Sequence, residues 1–287
     1  MKAAVLVDRG VVKLSGDDAK TFLNGLVTTE VTKLAAGLAR FGALLTPQGK
    51  IVTDFLVTET ADGVLWLDCP AKLAAPLATK LGFYKLRAKV VVENVSDRYA
   101  VIALWGGEAS TSPGIVFADP RHTSLGRRMF VAVDNVASLG VEMTDVADYD
   151  AHRIALGVPN GGVDFGYNDA FPHEANMDRL HGVDFDKGCY VGQEVVSRMQ
   201  HRGTARTRIV RVLLEGQPPL PGAQITAGGK SIGTLGSSIG HQALALLRLD
   251  RAADALGADA GFRAGDVALT IADPDDLRLP PKQQTTA

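Results

Sequence analysis

One stretch of the chain gathers the groups best suited to chemistry: Lys187-Gly188-Cys189-Tyr190-Val191-Gly192-Gln193-Glu194, with Arg198 one helical turn further on. It sets one of only two cysteines beside a lysine and just ahead of a Gly-Gln-Glu step. A neighbouring cation stabilises a thiolate, and so does the start of a helix, where N–H groups point outward. Gly188 and Gly192 allow tight turns and close approach of the backbone to a ligand. Glu194 and Arg198 stand four apart, so on a helix they face each other. The same residues also suit a plainer reading, a loop entering a helix with a small buried cysteine acting as a hydrophobe.

The elements that must position this stretch are legible from periodicity. Residues 5–14 read as a strand broken by Asp8-Arg9-Gly10, after which Ser15 offers an N-cap with Asp18 in the capping-box position. Ala19, Phe22, Leu23 and Leu26 give one apolar helical face, and Asn24 and Thr28 beside it are expected to be solvated. Strands follow at 40–45 and 51–57 around the turn Pro47-Gln48-Gly49, then at 64–67 after Ala61-Asp62-Gly63. A helix over 70–82 carries Leu73, Leu77 and Leu81, and a strand returns over 86–92. The basic run Lys80, Lys85, Arg87 and Lys89 reads as a solvated strand edge.

A second unit begins with strands at 99–104 and 128–133, joined by a loop (106–124) rich in Gly, Ser, Thr and Pro. A short helix fits 148–156, and 160–187 is mostly loop, which at that length is expected to be functional. After Gly203 the texture changes to short strands at 207–214, 224–226, 231–235, 243–249 and 267–271, the pattern of a small all-β barrel. Arg202, Arg206, Arg208 and Arg211 alternate with neutral residues and suit a carboxylate-rich ligand tail, or water. The expected division is a core at 1–204, with α+β subdomains near 1–96 and 97–204, then a barrel at 205–276 and a disordered tail at 277–287.

Composition excludes several classes. The chain has 287 residues, too many for one ordinary domain, and its 46% hydrophobic and 22% charged content fits packed cores. Thirty Lys and Arg against 32 Asp and Glu give no strong attraction to nucleic acid or to an anionic membrane. Two cysteines make neither a disulfide framework nor a four-cysteine metal site, so a reducing compartment is expected. The apolar start is interrupted by Asp8 and Arg9, and no run approaches the roughly 18 apolar residues of a membrane span. A soluble, cytoplasmic protein is the expectation. Gly49-Lys50 and Gly229-Lys230-Ser231 lack the earlier glycine of a phosphate-binding loop, and no histidines fall in a His-x-x-x-His zinc pairing.

As a string, Lys187 to Glu194 resembles the signature of the YgfZ-type folate-binding proteins, relatives of the T-protein (aminomethyltransferase) of the glycine cleavage system. Phe171-Pro172-His173-Glu174-Ala175-Asn176-Met177, Phe22-Leu23-Asn24-Gly25-Leu26-Val27-Thr28 and Leu45-Thr46-Pro47-Gln48-Gly49-Lys50 resemble further segments of that family in the same order. Glu30 departs from the pattern, standing where the family usually has aspartate.

The resemblance implies an α+β fold, a T-protein-like ring of two α+β units around a central cavity, plus a C-terminal small β-barrel. It implies tetrahydrofolate, or a one-carbon derivative, as cofactor, and iron–sulfur client or assembly proteins as partners. It makes Cys189 the reactive group, activated by Lys187, and Asn24, Glu174, Asn176, Tyr190, Gln193, Glu194 and Arg198 candidate contacts for the folate. Glu174 and Asn176 are expected to meet Asn24 across the ring. The function implied is assistance in assembly or repair of iron–sulfur clusters, with a folate-dependent one-carbon transferase or demethylase as the alternative. Against glycine cleavage itself, residues 71–81 hold no carboxylate where T-proteins carry an aspartate, Asp68 comes too early, and the Gly-Tyr-Thr-Gly-Glu stretch is missing.

Overall fold

The computed structural model describes residues 1–107 and 113–278. Its elements in chain order are β1 (Lys2–Val5), β2 (Arg9–Ser15), α1 (Ala19–Asn24), β3 (Ala39–Leu45), β4 (Ile51–Glu59), β5 (Leu65–Pro70), α2 (Ala71–Tyr84) and β6 (Val91–Asn94). There follow β7 (Tyr99–Trp105), β8 (Ile115–Ala118), β9 (Arg127–Ala132), β10 (Glu142–Met143), α3 (Val146–Ala155) and α4 (Gln193–Arg202). The last part holds β11 (Thr207–Leu214), β12 (Gln224–Ala227), β13 (Lys230–Ile239), β14 (Gln242–Arg248), α5 (Leu249–Gly257), β15 (Phe262–Ala264) and β16 (Val267–Ile271).

These elements fall into two compact units. The first takes residues 1–47, 52–149 and 179–191, the second 48–51, 150–178 and 192–287. The signature stretch is therefore divided, Lys187 to Val191 lying in the first unit and Gly192 onward in the second.

In the first unit, one sheet has the order β3-β4-β5-β2-β6 and the other β10-β1-β7-β9-β8. The turn at Val7 and Asp8 sends β1 and β2 to different sheets, where the sequence suggests one interrupted strand. The core of the first sheet gathers Leu14, Leu23, Phe55, Leu67, Leu77 and Leu81, so the apolar faces of α1 and α2 cover it. Trp66 of β5 stacks on Phe130 of β9 at 6.1 Å, and Asp68 of β5 lies 3.8 Å from Arg128 of β9. In the second unit, β11-β14-β13-β12-β15-β16 close a barrel around Val210, Ile225, Leu235, Ala245, Leu247 and Phe262. Closure removes the unpaired strand edges that short strands would otherwise expose.

Several expectations need correction. Ser15 ends β2 and does not cap α1; the N-cap is Asp18, whose carboxylate instead accepts the Lys89 N–H. The strand expected at 86–92 starts only at Val91, because the chain turns through Leu86 at φ +41°. The Gly- and Ser-rich loop before β9 contains β8. The C-terminal part is not all β, since α5 buries Leu249 and Ala252 in the barrel core. Leu277, placed in the expected tail, is buried against the barrel, whereas 279–287 lie outside the described residues.

Candidate functional site

Lys187 is the most constrained of the signature residues. Its ammonium group donates to three backbone carbonyls, those of Asn24 (2.8 Å), Val27 (2.7 Å) and Thr29 (2.7 Å). Asn24 is the last residue of α1, and a helix leaves its final carbonyls without partners, so a cation there satisfies them. The side chain is only 7% exposed and lies 5.4 Å from the Tyr190 ring centroid. Burial pushes its pKa down to about 8, while Glu30 and Asp184 act in the opposite direction. All three ammonium protons are thus directed at the first unit's backbone carbonyls, whereas the sequence reading directed them at the thiol. These bonds tie the signature loop to the end of α1.

Cys189 itself is exposed, whereas Cys69 is fully buried with its thiol pushed up to about 12 by burial. The helix does not begin at the thiol; α4 starts at Gln193 after Gly192 turns the chain at φ +82°. Tyr190 is buried, its hydroxyl has no hydrogen-bond partner among the described residues, and burial together with Asp184 raises its pKa to about 12. Asn24 uses its Oδ1 to accept the Val31 N–H at 2.8 Å. Thr28, expected to be solvated, is fully buried and bridges the Gly182 carbonyl (2.6 Å) and the Ala43 N–H (2.9 Å). Glu30 is buried and accepts from both the backbone and the hydroxyl of Thr32.

The second unit holds the remaining residues. Glu174 accepts the Phe171 N–H through Oε2 at 2.8 Å, leaving Oε1 without a protein donor among the described residues. Burial raises its pKa, aided by Asp169 and opposed by the Phe171 N–H and by Lys50. It lines an open cavity of about 480 Å³ with Phe171, Val195, Met199, Arg206 and Arg248. Asp250 lies 2.8 Å from Arg248 and 3.9 Å from Arg206, holding both guanidinium groups at this rim. Lys50 sits 3.5 Å over the Phe171 ring, a cation–π contact on the same segment. Gly49, at φ +81°, brings that turn against Val195, where an added Cβ would stand 3.0 Å away.

Asn176 is spent differently. Its Nδ2 donates to the Ile209 carbonyl at 2.7 Å and its Oδ1 meets Arg208 at 3.4 Å, so the amide serves the junction with β11. Arg208 is buried and holds Asp178 through both terminal nitrogens (2.8 and 2.7 Å), which removes it from the set of arginines open to a ligand tail. Glu194 and Arg198 form an exposed pair at 2.5 Å on α4, and such surface pairs contribute little to stability. Gln193 is the first residue of α4. The structure thus brings Glu174, Arg206 and Arg248 to one cavity, and gathers Lys187, Tyr190 and the Asn24 carbonyl in the other unit. Sequence reasoning missed Phe171, Lys50 and Arg248 as a set, and the signal available was an aromatic next to Pro172 opposite cations in a loop-rich segment.

Asp68 does not supply the carboxylate that T-proteins use. It is fully buried and bound to the Arg9 guanidinium at 2.5 Å, with Arg128 at 3.8 Å. Among the described residues, no group of three or more His, Cys, Asp or Glu is placed to hold a metal, and no helix is long and apolar enough to cross a membrane.

Comparison with known proteins gives consistent results. Residues 7–116 match the family described as the GCVT N-terminal domain, and 206–279 match the CAF17 C-terminal beta-barrel domain. The chain is 33% identical over 271 residues to the mouse "Iron-sulfur cluster assembly factor IBA57, mitochondrial", covering 84% of this chain and 75% of that one. It is 32% identical over 268 residues to the protein of the same description from Homo sapiens, with 83% and 75% covered. It is also 34% identical to the Mycosarcoma maydis homologue over 237 residues, 76% of this chain and 59% of that longer protein. Among solved structures, the glycine cleavage system aminomethyltransferase T from Bartonella henselae superposes with a TM-score of 0.76 at 17% identity, covering 99% of this chain and 88% of that one. That likeness establishes an aminomethyltransferase-type fold.

Proposed function

The chain belongs to the YgfZ/IBA57 family, and from that premise we propose that it binds tetrahydrofolate or a one-carbon derivative and assists assembly or repair of iron–sulfur clusters in client enzymes. The four-iron kind is the cargo we assign. The observation that carries the folate part is the cavity beside Glu174. A reduced pterin presents clustered N–H donors, and Glu174 offers a partly desolvated carboxylate oxygen with no protein donor among the described residues. Phe171 supplies an apolar face, and Arg206 and Arg248 supply cations for the glutamate tail. These residues fit the ligand; Asn24 and Asn176 fit it less well, because the Asn24 Oδ1 and both ends of the Asn176 amide are already engaged.

Bound folate supplies a reduced pterin and a carrier for one-carbon units. The chain's own residues accept its N–H protons at Glu174, cover the ring with Phe171, and neutralise its carboxylates. Cys189 supplies an accessible thiol. A cluster needs about four ligands, and among the described residues this chain offers one exposed cysteine and no group of three metal-binding side chains, so we place the remaining ligands on an assembly or client protein. Two unpaired thiols suit a reducing compartment, for which we propose the cytoplasm; the relatives' names place them in mitochondria.

Anaerobic titration with tetrahydrofolate tests this reading. Glu174→Ala strands ligand donors, at about 1–3 kcal/mol, or roughly five- to a hundredfold in affinity. If Glu174→Ala lowers the melting temperature and leaves the affinity unchanged, Glu174 only caps the Phe171 turn and the folate assignment to this cavity fails.

A further inference from the structure

Thirteen large apolar side chains are exposed among the described residues, most of them singly, but four fall within nine residues: Phe83 (77%), Tyr84 (38%), Leu86 (89%) and Val91 (54%). Single exposed hydrophobes are ordinary, whereas a cluster marks an interaction surface. Leu86 sits at φ +41°, a conformation unfavourable for a bulky L-residue, at the point where the chain leaves α2. Nothing inside the protein is gained by a leucine there, since its side chain is almost wholly in water.

The turn is held firmly. Lys85 donates its N–H to the Leu81 carbonyl and its ammonium to the Val90 carbonyl at 3.2 Å, and Ala88 N–H reaches the Lys85 carbonyl at 2.6 Å. Beyond it, the Asp18 carboxylate accepts the Lys89 N–H at 2.7 Å. The apolar side chains are therefore presented on a fixed backbone, which lowers the ordering cost of binding. Interleaved with them in the chain are Arg87 and Lys89, with Lys80 one turn earlier on α2 and Lys85 bound through its ammonium to Val90; Asp17 lies 3.6 Å from Lys89.

We propose that this turn docks a partner protein that presents an apolar pocket rimmed by carboxylates. Charge complementarity sets the rim, and Phe83 and Leu86 set the pocket. A protein is favoured over an anionic bilayer for two reasons. The backbone presents one fixed shape, and the patch continues into β6, the edge strand of its sheet, whose outer groups have no strand partner among the described residues. Another polypeptide can hydrogen-bond to such an edge, and hydrocarbon cannot. The surface involves neither Cys189 nor Glu174, so its loss is separable from loss of thiol or folate chemistry.

Photo-crosslinking in cells, with benzoylphenylalanine in place of Phe83 in the full chain, tests the proposal. The expected result is one dominant protein adduct, identified by mass spectrometry, whose purified form binds the unmodified chain. Leu86→Gly should weaken that complex by about tenfold or more, while the melting temperature stays level or rises because glycine adopts this φ freely. Arg87→Glu, folded normally, should weaken it as well, and raised salt should do the same. Absence of any protein adduct, or a complex indifferent to both variants, overturns the assignment. Co-sedimentation with phosphatidylcholine–phosphatidylglycerol vesicles that Leu86→Gly abolishes would overturn it too, in favour of a membrane surface.

Discussion

Lys187→Met separates a structural lysine from a chemical one. Methionine keeps most of the aliphatic stem and removes the ammonium group, leaving the carbonyls of Asn24, Val27 and Thr29 without their donor. A buried acceptor left unsatisfied costs about 1–3 kcal/mol. Taking the lower end for each of the three, because water can reach part of the opened space, gives a loss of roughly 3 kcal/mol. For a protein of this size that is a fall of about 6–12 °C in melting temperature. The pH dependence carries a sign of its own. Burial holds the Lys187 pKa near 8, below its ordinary 10.5. Between those values the unfolded chain binds more protons than the folded one, so native stability rises with pH across that window. Lys187→Met should lack this rise, and its deficit should therefore widen from pH 8 towards 10. Differential scanning calorimetry across that range, with iodoacetamide labelling of Cys189 in parallel, provides the measurement. An unchanged melting temperature together with slowed labelling would refute the reasoning and restore Lys187 as the activator of the thiol.

Three further outcomes are expected. Iodoacetamide should label one thiol per native chain, Cys189, and a second only after denaturation, because Cys69 is buried with its thiol pushed up to about 12; native labelling of Cys69 would contradict this. Arg208→Met should destabilise the second unit by about 1–3 kcal/mol, since it removes the buried guanidinium that donates to Asp178, to the His173 carbonyl and to Asn176, and a urea midpoint equal to wild type would contradict it. Gly49→Ala should destabilise the turn that carries Lys50, because φ +81° strains any side chain and the added Cβ meets Val195 at 3.0 Å. A thermal melt reads that loss, and a melting temperature at or above wild type would count against it.

Much of the scaffold was legible in the sequence because its signals are local. The strand periodicity and turn residues of β11, β14 and β16 placed the barrel strands within a residue or two, and the four-residue apolar spacing of α2 placed that helix. At Leu86, apolar residues on both sides suggest a strand, and nothing local announces the left-handed leucine that the chain adopts there. The helix α5 was missed although Leu249 and Ala252 stand three apart, since the Gly-rich surroundings favoured turns. The site was harder for a different reason. Lys187 stands beside Cys189 in sequence, and that adjacency suggested chemistry; its actual partners lie about 160 residues upstream, on the carbonyls of a helix end. Asn176 and Arg208 likewise spend their polar atoms on partners 33 and 30 positions away in the chain. Motif identity reports residue types, and which hydrogen bonds those residues have already committed is settled only by tertiary structure.

We propose that this chain serves iron–sulfur enzymes through the exposed Cys189 thiol. The direct test is the specific activity of a four-iron enzyme in cells lacking the protein, complemented by wild type or by Cys189→Ala at equal abundance. Exposure of Cys189 means that the substitution should leave the fold intact. The account predicts that wild type restores the activity and Cys189→Ala does not, while iron-independent enzymes are unaffected in both strains. Full restoration by Cys189→Ala would contradict it, leaving the thiol without a role in the function.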